Sequence, residues 1–122
     1  VTKMKLLLIG GHPKGFDKPF HEKTHSGRIL RKITAKLNIE HIFFDLWNNQ
    51  TEQNLGIIGK DTIKELSNYI KRNYTLIALG KFTERSLIEE HIPCVYLPHP
   101  ASRNHKYVIK LEKELLKYNT KK

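Results

Sequence analysis

Two segments gather the residues able to move protons or hold anions. The first, Gly10-Gly11-His12-Pro13-Lys14-Gly15-Phe16-Asp17-Lys18-Pro19-Phe20, sets an imidazole, a carboxylate, two lysines and two aromatic rings in one glycine-rich stretch. A neutral imidazole has an unperturbed pKa near working pH, so His12 can accept a proton or orient a water molecule. Asp17 is the other candidate for handling water, its alternative being a turn cap beside Lys18-Pro19. The second segment, Leu97-Pro98-His99-Pro100-Ala101-Ser102-Arg103-Asn104, encloses a histidine between prolines. Such a residue is poor core material, which points His99 toward chemistry. A third pattern, His21-Glu22-Lys23-Thr24-His25, spells His-Glu-x-x-His, which on a helix puts two imidazoles on one face for zinc, with the glutamate as base. The charge of Lys23, the better cap residues Thr24 and Ser26, and the want of a third ligand downstream rank a zinc hydrolase low, and no metal is expected. Cys94 is the single cysteine. It excludes an internal disulfide, a Cys-ligated iron–sulfur cluster and a zinc ribbon, and reads as a small buried hydrophobe. Gly10-Gly11 lacks the third glycine of a dinucleotide fingerprint and no Gly-Lys-Ser/Thr loop occurs, so no cofactor is expected.

The elements that must position these loops follow from periodicity. Lys5 to Ile9 is an apolar run closed by glycines, the pattern of a buried parallel strand. Thr24 or Ser26 caps a helix with Ile29, Leu30, Ile33 and Leu37 at helical spacing. Glu40 to Asp45 reads as a second strand and Asn48 to Asn54 as a polar loop. Asp61 caps a helix carrying Ile63, Leu66, Tyr69 and Ile70 and ending near Asn73. Leu76 to Leu79 is a third strand, Phe82 to Ile88 a short helix, Val95 to Leu97 a fourth strand, and Val108 to Leu116 a last helix. Alternating strands and helices predict an α/β fold, a three-layer α/β/α sandwich around a four-stranded parallel sheet. In such sheets ligands gather at the carboxyl ends of the strands, so the loops at Gly10, Asp45, Gly80 and Pro98 are expected to converge. Residues 1–118 form one domain, with a frayed basic tail over 119–122.

These motifs in this order resemble the uracil-DNA glycosylase superfamily. That family sets a Gly-x-x-Pro loop after its first strand, then Pro-Phe, and closes its last strand with a His-Pro-Ser type loop. Gly10 and Pro13 match the first, Pro19-Phe20 the second, and His99-Pro100 with Ser102 the third; Ser26-Gly27-Arg28 and the Leu76 to Lys81 stretch also fit. The likeness spans nearly the whole chain, on short motifs. It implies a DNA-binding enzyme that hydrolyses the N-glycosidic bond of uracil or another deaminated base, with Gly10 and Gly11 beside the base. A base must leave its stack to be cleaved, and Phe20 would stack on it, or else staple the loop to the core. His99 would donate to the charge that develops on the departing base. Lys14, Ser102, Arg103, Asn104, His105 and Lys106 would hold the nucleic-acid backbone. The sequence departs from the family at His12 and Gly11, where efficient members carry Asp, Asn or Glu to handle water. A nucleic-acid-binding module without strong turnover is therefore the alternative. It departs again at Asp45, where an Asn amide would offer both donor and acceptor to a pyrimidine edge; Asp45 then reads an amine or holds a proton, or caps the following turn while Asn48 or Asn49 reads the base instead. Arg103 replaces the apolar wedge of the family, which favours a single-stranded or already exposed base.

Charge sharpens the expectation of a polyanionic partner. The 122 residues carry 22 Lys or Arg against 12 Asp or Glu, a net +10. Residues 1–36 hold nine basic and two acidic groups and residues 101–122 seven and two, whereas the stretch between is slightly acidic. With 39% hydrophobic residues the chain lies in the globular range. No apolar run approaches the roughly 20 residues that cross a bilayer. A monomeric, soluble protein of the cytoplasm or nucleoid, with no membrane partner, is expected.

Overall fold

Leu6, Leu7, Leu8 and Ile9 are all fully buried, which a strand achieves only when both faces of its sheet are covered. The computed structural model describes residues 5–12 and 15–119. The elements run β1 (Lys5–Gly10), α1 (His25–Thr34), β2 (Glu40–Asp45), α2 (Gln50–Leu55), α3 (Lys60–Lys71), β3 (Tyr74–Leu79), α4 (Lys81–Glu89), β4 (Val95–Leu97) and α5 (His105–Leu116). The strands form one sheet in the order β2-β1-β3-β4, and each neighbouring pair is parallel. Side chains alternate across it with the period of two that a strand imposes. Leu7, Ile9, Leu76 and Ala78 pack in one core with Leu66 of α3 and Leu87 of α4. Leu6, Leu8, Ile77 and Leu79 pack in the other with Leu30 and Ile33 of α1 and Leu111 and Leu115 of α5. The three-layer α/β/α sandwich is thus the observed fold.

Boundaries differ where side-chain chemistry outweighs periodicity. The polar stretch after β2 is not all loop, because Gln50–Leu55 is helical. Asn49 caps that helix through its side chain, which accepts from the Glu52 amide at 2.9 Å. Gly56 ends it at φ 71, a left-handed conformation that glycine adopts without steric cost. The cap of α3 is Gly59, with Asp61 in the first turn, where its charge still favours the helix dipole. Thr24 does cap α1: the Gly27 amide donates to its hydroxyl at 2.9 Å. β3 begins two residues early, at Tyr74, whose hydroxyl donates to Glu40 of β2. Asn119 is not frayed, since the Asn38 amide donates to its Oδ1 at 2.8 Å and its Nδ2 donates to the Lys36 carbonyl at 3.1 Å. The rest of the expected tail, and Pro13 with Lys14, lie outside the described residues.

The strand order creates a crevice. From β1 the chain crosses to β2 on one side and then returns to β3 on the other, so connections diverge at the carboxyl ends of β1 and β3. Among the described residues, no helix is long and apolar enough to cross a membrane.

Candidate active site

A cavity of about 380 Å³ opens at those strand ends, lined among others by Gly11, His12, Phe20, Asp45, Gly80 and His99. All four strand-end loops therefore meet, as the topology requires. The volume lies at the small end of the roughly 300–1,000 Å³ typical of ligand sites.

Phe20 reaches the cavity because the chain before α1 is held in an unusual conformation. Its φ is 48°, left-handed backbone that costs a non-glycine residue about 1–2 kcal/mol. Arg31 of α1 offsets that cost: Nε donates to the Phe20 carbonyl at 2.6 Å and Nη2 to the Pro19 carbonyl at 3.1 Å. The same guanidinium lies 4.6 Å from the centre of the Phe43 ring, and Phe43 meets Phe20 edge-on at 5.9 Å. On its other side Phe20 abuts Gly10, where an added Cβ would fall 2.4 Å from the ring's Cζ. Gly10 thus admits the ring rather than lining the cavity itself. Phe20 is at once a core residue, 7% exposed, and part of the cavity wall, so the staple and the wall are one side chain.

His99 is oriented by its own loop. The Ala101 amide donates to His99 Nδ1 at 3.0 Å and the Ser102 amide to the His99 carbonyl at 3.1 Å. With Nδ1 accepting, the neutral ring carries its proton on Nε2 and is a hydrogen-bond donor there. Its ring packs over Gly80, whose φ of +103° excludes other residues and whose position would place a Cβ 3.5 Å from His99 Cβ.

Asp45 ends β2, paired in register with Gly10. Half-burial removes water from its carboxylate, and this desolvation pushes its pKa up to about 6. His12 meets Gln50 of α2, Nε2 to Oε1 at 3.1 Å. Paired with that amide oxygen, the neutral ring donates from Nε2. The N-terminus of α4 completes the wall with Gly80, Lys81, Phe82 and Thr83. Among the described residues no side chain caps it, and because its first turn lines the cavity its positive dipole end faces inward.

Other expected residues lie elsewhere. Asp17 does not line the cavity; its side chain is 90% exposed, 4.0 Å from His21. Asn48 is exposed beside α2 and lines a different depression, with its amide donating to Glu52. Arg103 and His105 border a separate groove between α1 and α5, and Ser102 borders both that groove and the cleft that His99 shares with Tyr107. Asn104 caps α5 by accepting from the Lys106 amide at 3.0 Å. The His-Glu-x-x-His residues do not share a helix, because the chain turns at the Thr24 cap between them. His21 stacks on Phe16 at 4.4 Å; its Nδ1 accepts from the Lys23 amide, and Glu22 pairs with Lys18. Among the described residues, no group of three or more His, Cys, Asp or Glu could hold a metal ion.

Gln50, Gln53, Phe82 and Thr83 line the cavity without having been expected there from sequence. Gln50 and Gln53 belong to α2, whose start is signalled by Asn49-x-x-Glu52 and whose end by Gly56. Gly11 lets Gln53 approach, since a Cβ there would fall 2.1 Å from its Oε1. Phe82 is 43% exposed and is backed by Trp47, 5.5 Å away. Trp47 is buried, with its indole N–H donating to the Ile57 carbonyl at 3.0 Å. No protein-family model matches this sequence, and no curated protein or solved structure matches it either.

Proposed function

We propose that the chain is a base-excision glycosylase, of the uracil-DNA glycosylase type, that hydrolyses the N-glycosidic bond of a deaminated base in DNA. The observation that carries this reading is the meeting of Phe20, Asp45 and His99 around one small cavity. An aromatic wall takes the face of an unstacked base. Uracil, hypoxanthine and xanthine each present an N–H beside a carbonyl. A carboxyl with a pKa of about 6 complements that pair when protonated, donating through its hydroxyl and accepting on its other oxygen.

In the reaction the C1′–N bond breaks and its electron pair leaves with the base. His99 Nε2–H donates to the oxygen on which that negative charge collects, and the uncapped end of α4 adds a fixed positive potential. Water attacks C1′ as the sugar becomes cationic, and the neutral His12 ring takes the water's proton, which finally passes to the departing base. The products are the free base and an abasic sugar. Removing a donor of this kind typically slows turnover about 10²–10³-fold, so His99→Ala is expected to release base that much more slowly from uracil-, hypoxanthine- or xanthine-containing strands. Chromatography of the released base measures it.

A nucleic-acid-binding module without turnover is the second reading, favoured by the exposure of Asp17, which takes that carboxylate away from the cavity where water would be activated. Oligonucleotide binding with no base released, and no change on His99→Ala, would select that reading over the enzyme.

A further inference from the structure

The excess of positive charge belongs to one layer of the sandwich. The α1/α5 layer with its flanks, residues 25–36 and 103–117, carries nine Lys or Arg against two Glu. Both glutamates are paired, Glu112 with Lys36 and Glu114 with Lys117. The α3/α4 layer, residues 60–72 and 81–90, carries six basic against five acidic groups and is close to neutral. A charge that served only solubility has no reason to sort itself between the faces of one sheet.

The surface joins this charge to the cavity. Gly80, Lys81 and His99 line the cavity and also a shallow cleft on its other side, where they meet Tyr96, Tyr107 and Lys110. Lys110 in turn borders a further depression with Lys106, Lys113, Glu114 and Lys117 along α5. The spacings 106, 110, 113 and 117 alternate four and three, so these lysines share one helix face, over a length of about 16 Å at 1.5 Å per residue. Tyr107 stands 47% exposed beside them. An aromatic ring followed by a row of cations is the arrangement that holds a single strand by stacking one base and tracking its phosphates.

We infer that the cleft at Tyr96 and Tyr107 and the lysine face of α5 form a track for the single-stranded nucleic acid that flanks a base held in the cavity. The inference rests on the proposed nucleic-acid substrate, and adds the surface that holds it and its preference for single strands. Duplex is disfavoured because the track offers a stacking ring that paired bases cannot reach.

Fluorescence anisotropy of a labelled single-stranded oligonucleotide, titrated between about 50 and 200 mM salt, tests the track without any need for turnover. The variant Lys106→Gln/Lys110→Gln/Lys113→Gln is expected to bind at least about tenfold more weakly, with its log–log salt slope reduced by about 0.7 for each phosphate no longer neutralised. Tyr107→Ala is expected to weaken binding about fivefold or more at unchanged slope. Lys60→Gln/Lys64→Gln/Lys71→Gln, on the opposite layer, should bind as the wild type does, and circular dichroism verifies that each variant is folded. Equal affinity in the two triple variants would overturn the track, as would binding to phosphatidylserine vesicles without binding to the oligonucleotide. Base release is scored separately: a track that passes these tests while no base is released leaves only the enzyme reading refuted.

Discussion

Half-buried Asp45 is more easily protonated in the folded protein than in the unfolded chain, since its pKa rises from the ordinary 3.8 to about 6. The folded state therefore binds the proton more tightly, and the stability this confers is present below about pH 4 and lost as pH rises through 6. That displacement corresponds to about 3 kcal/mol, reduced to about 1–2 kcal/mol by solvent screening at a half-buried group. Asp45→Asn removes the cost of the buried charge, so the variant is expected to be more stable than the wild type at pH 8 by about that amount, with no advantage near pH 4. Denaturant melts at the two pH values decide it. An amide also offers a donor and an acceptor at every pH, so under the proposed glycosylase reading base release is expected to decline above pH 6 in the wild type and not in Asp45→Asn. Stability that tracks the wild type at both pH values would show that desolvation does not govern this carboxyl. The sequence placed Asp45 at a strand end and posed the choice between an ionised and a protonated acid, but burial is a property of the neighbours and was not legible there. His99 was more legible, because flanking prolines and a strand end already restrict what such a residue can do. Asp17 was less legible for a related reason: a carboxylate in a loop can face either way, and this one stands exposed outside the cavity.

Arg31 illustrates how an element supports a site that it does not line. Its guanidinium spans the carbonyls of Pro19 and Phe20 and covers Phe43, so α1 holds the loop that aims Phe20. Hydrogen bonds from a charged donor are worth about 1.5–3 kcal/mol. Arg31→Ala is expected to destabilise the protein by about that much and, under the proposed glycosylase reading, with Phe20 released from its left-handed backbone, to lower base release more than its place outside the cavity suggests. Lysine should rescue little, because an ammonium cannot reproduce a planar fork between two carbonyls. Wild-type melting and wild-type base release in Arg31→Ala would refute this support. The long elements were legible from apolar periodicity, with β2 and β4 matching their expected limits. α2 was not, since none of its residues is buried and no apolar stripe announces it. Its signals were the cap Asn49, the Glu52 three residues on and the closing Gly56, which are chemical rather than periodic. Missing α2 meant missing Gln50 and Gln53 in the cavity wall.

At the scale of the molecule, β1 couples the two cores. Leu7 and Leu8 are adjacent in sequence and fully buried, but the pleat sends Leu7 to the α3/α4 side and Leu8 to the α1/α5 side. The alternating pattern of strands and helices made this sandwich legible, because an apolar run of four can be buried only between two helical layers. The layering of charge was legible only as an excess at both chain ends, since it takes the packing of α1 beside α5 to make one surface of them. Coupling through β1 implies that the domain unfolds as one unit, and the chain supplies its own reporter. Trp47 is the only tryptophan and packs in the α3/α4-side core. Leu8→Ala empties space on the opposite face and is expected to cost about 2–5 kcal/mol. If the sheet transmits that loss, urea transitions followed by Trp47 fluorescence and by far-ultraviolet circular dichroism shift together to a lower midpoint and still coincide. Leu7→Ala should give the same coincidence from the tryptophan's own side. Were the circular dichroism transition of Leu8→Ala to move while Trp47 kept its wild-type midpoint, the two cores would be separate cooperative units. The cavity, which draws Phe20 from one core and the strand ends from both, could then lose one wall while the other stayed folded.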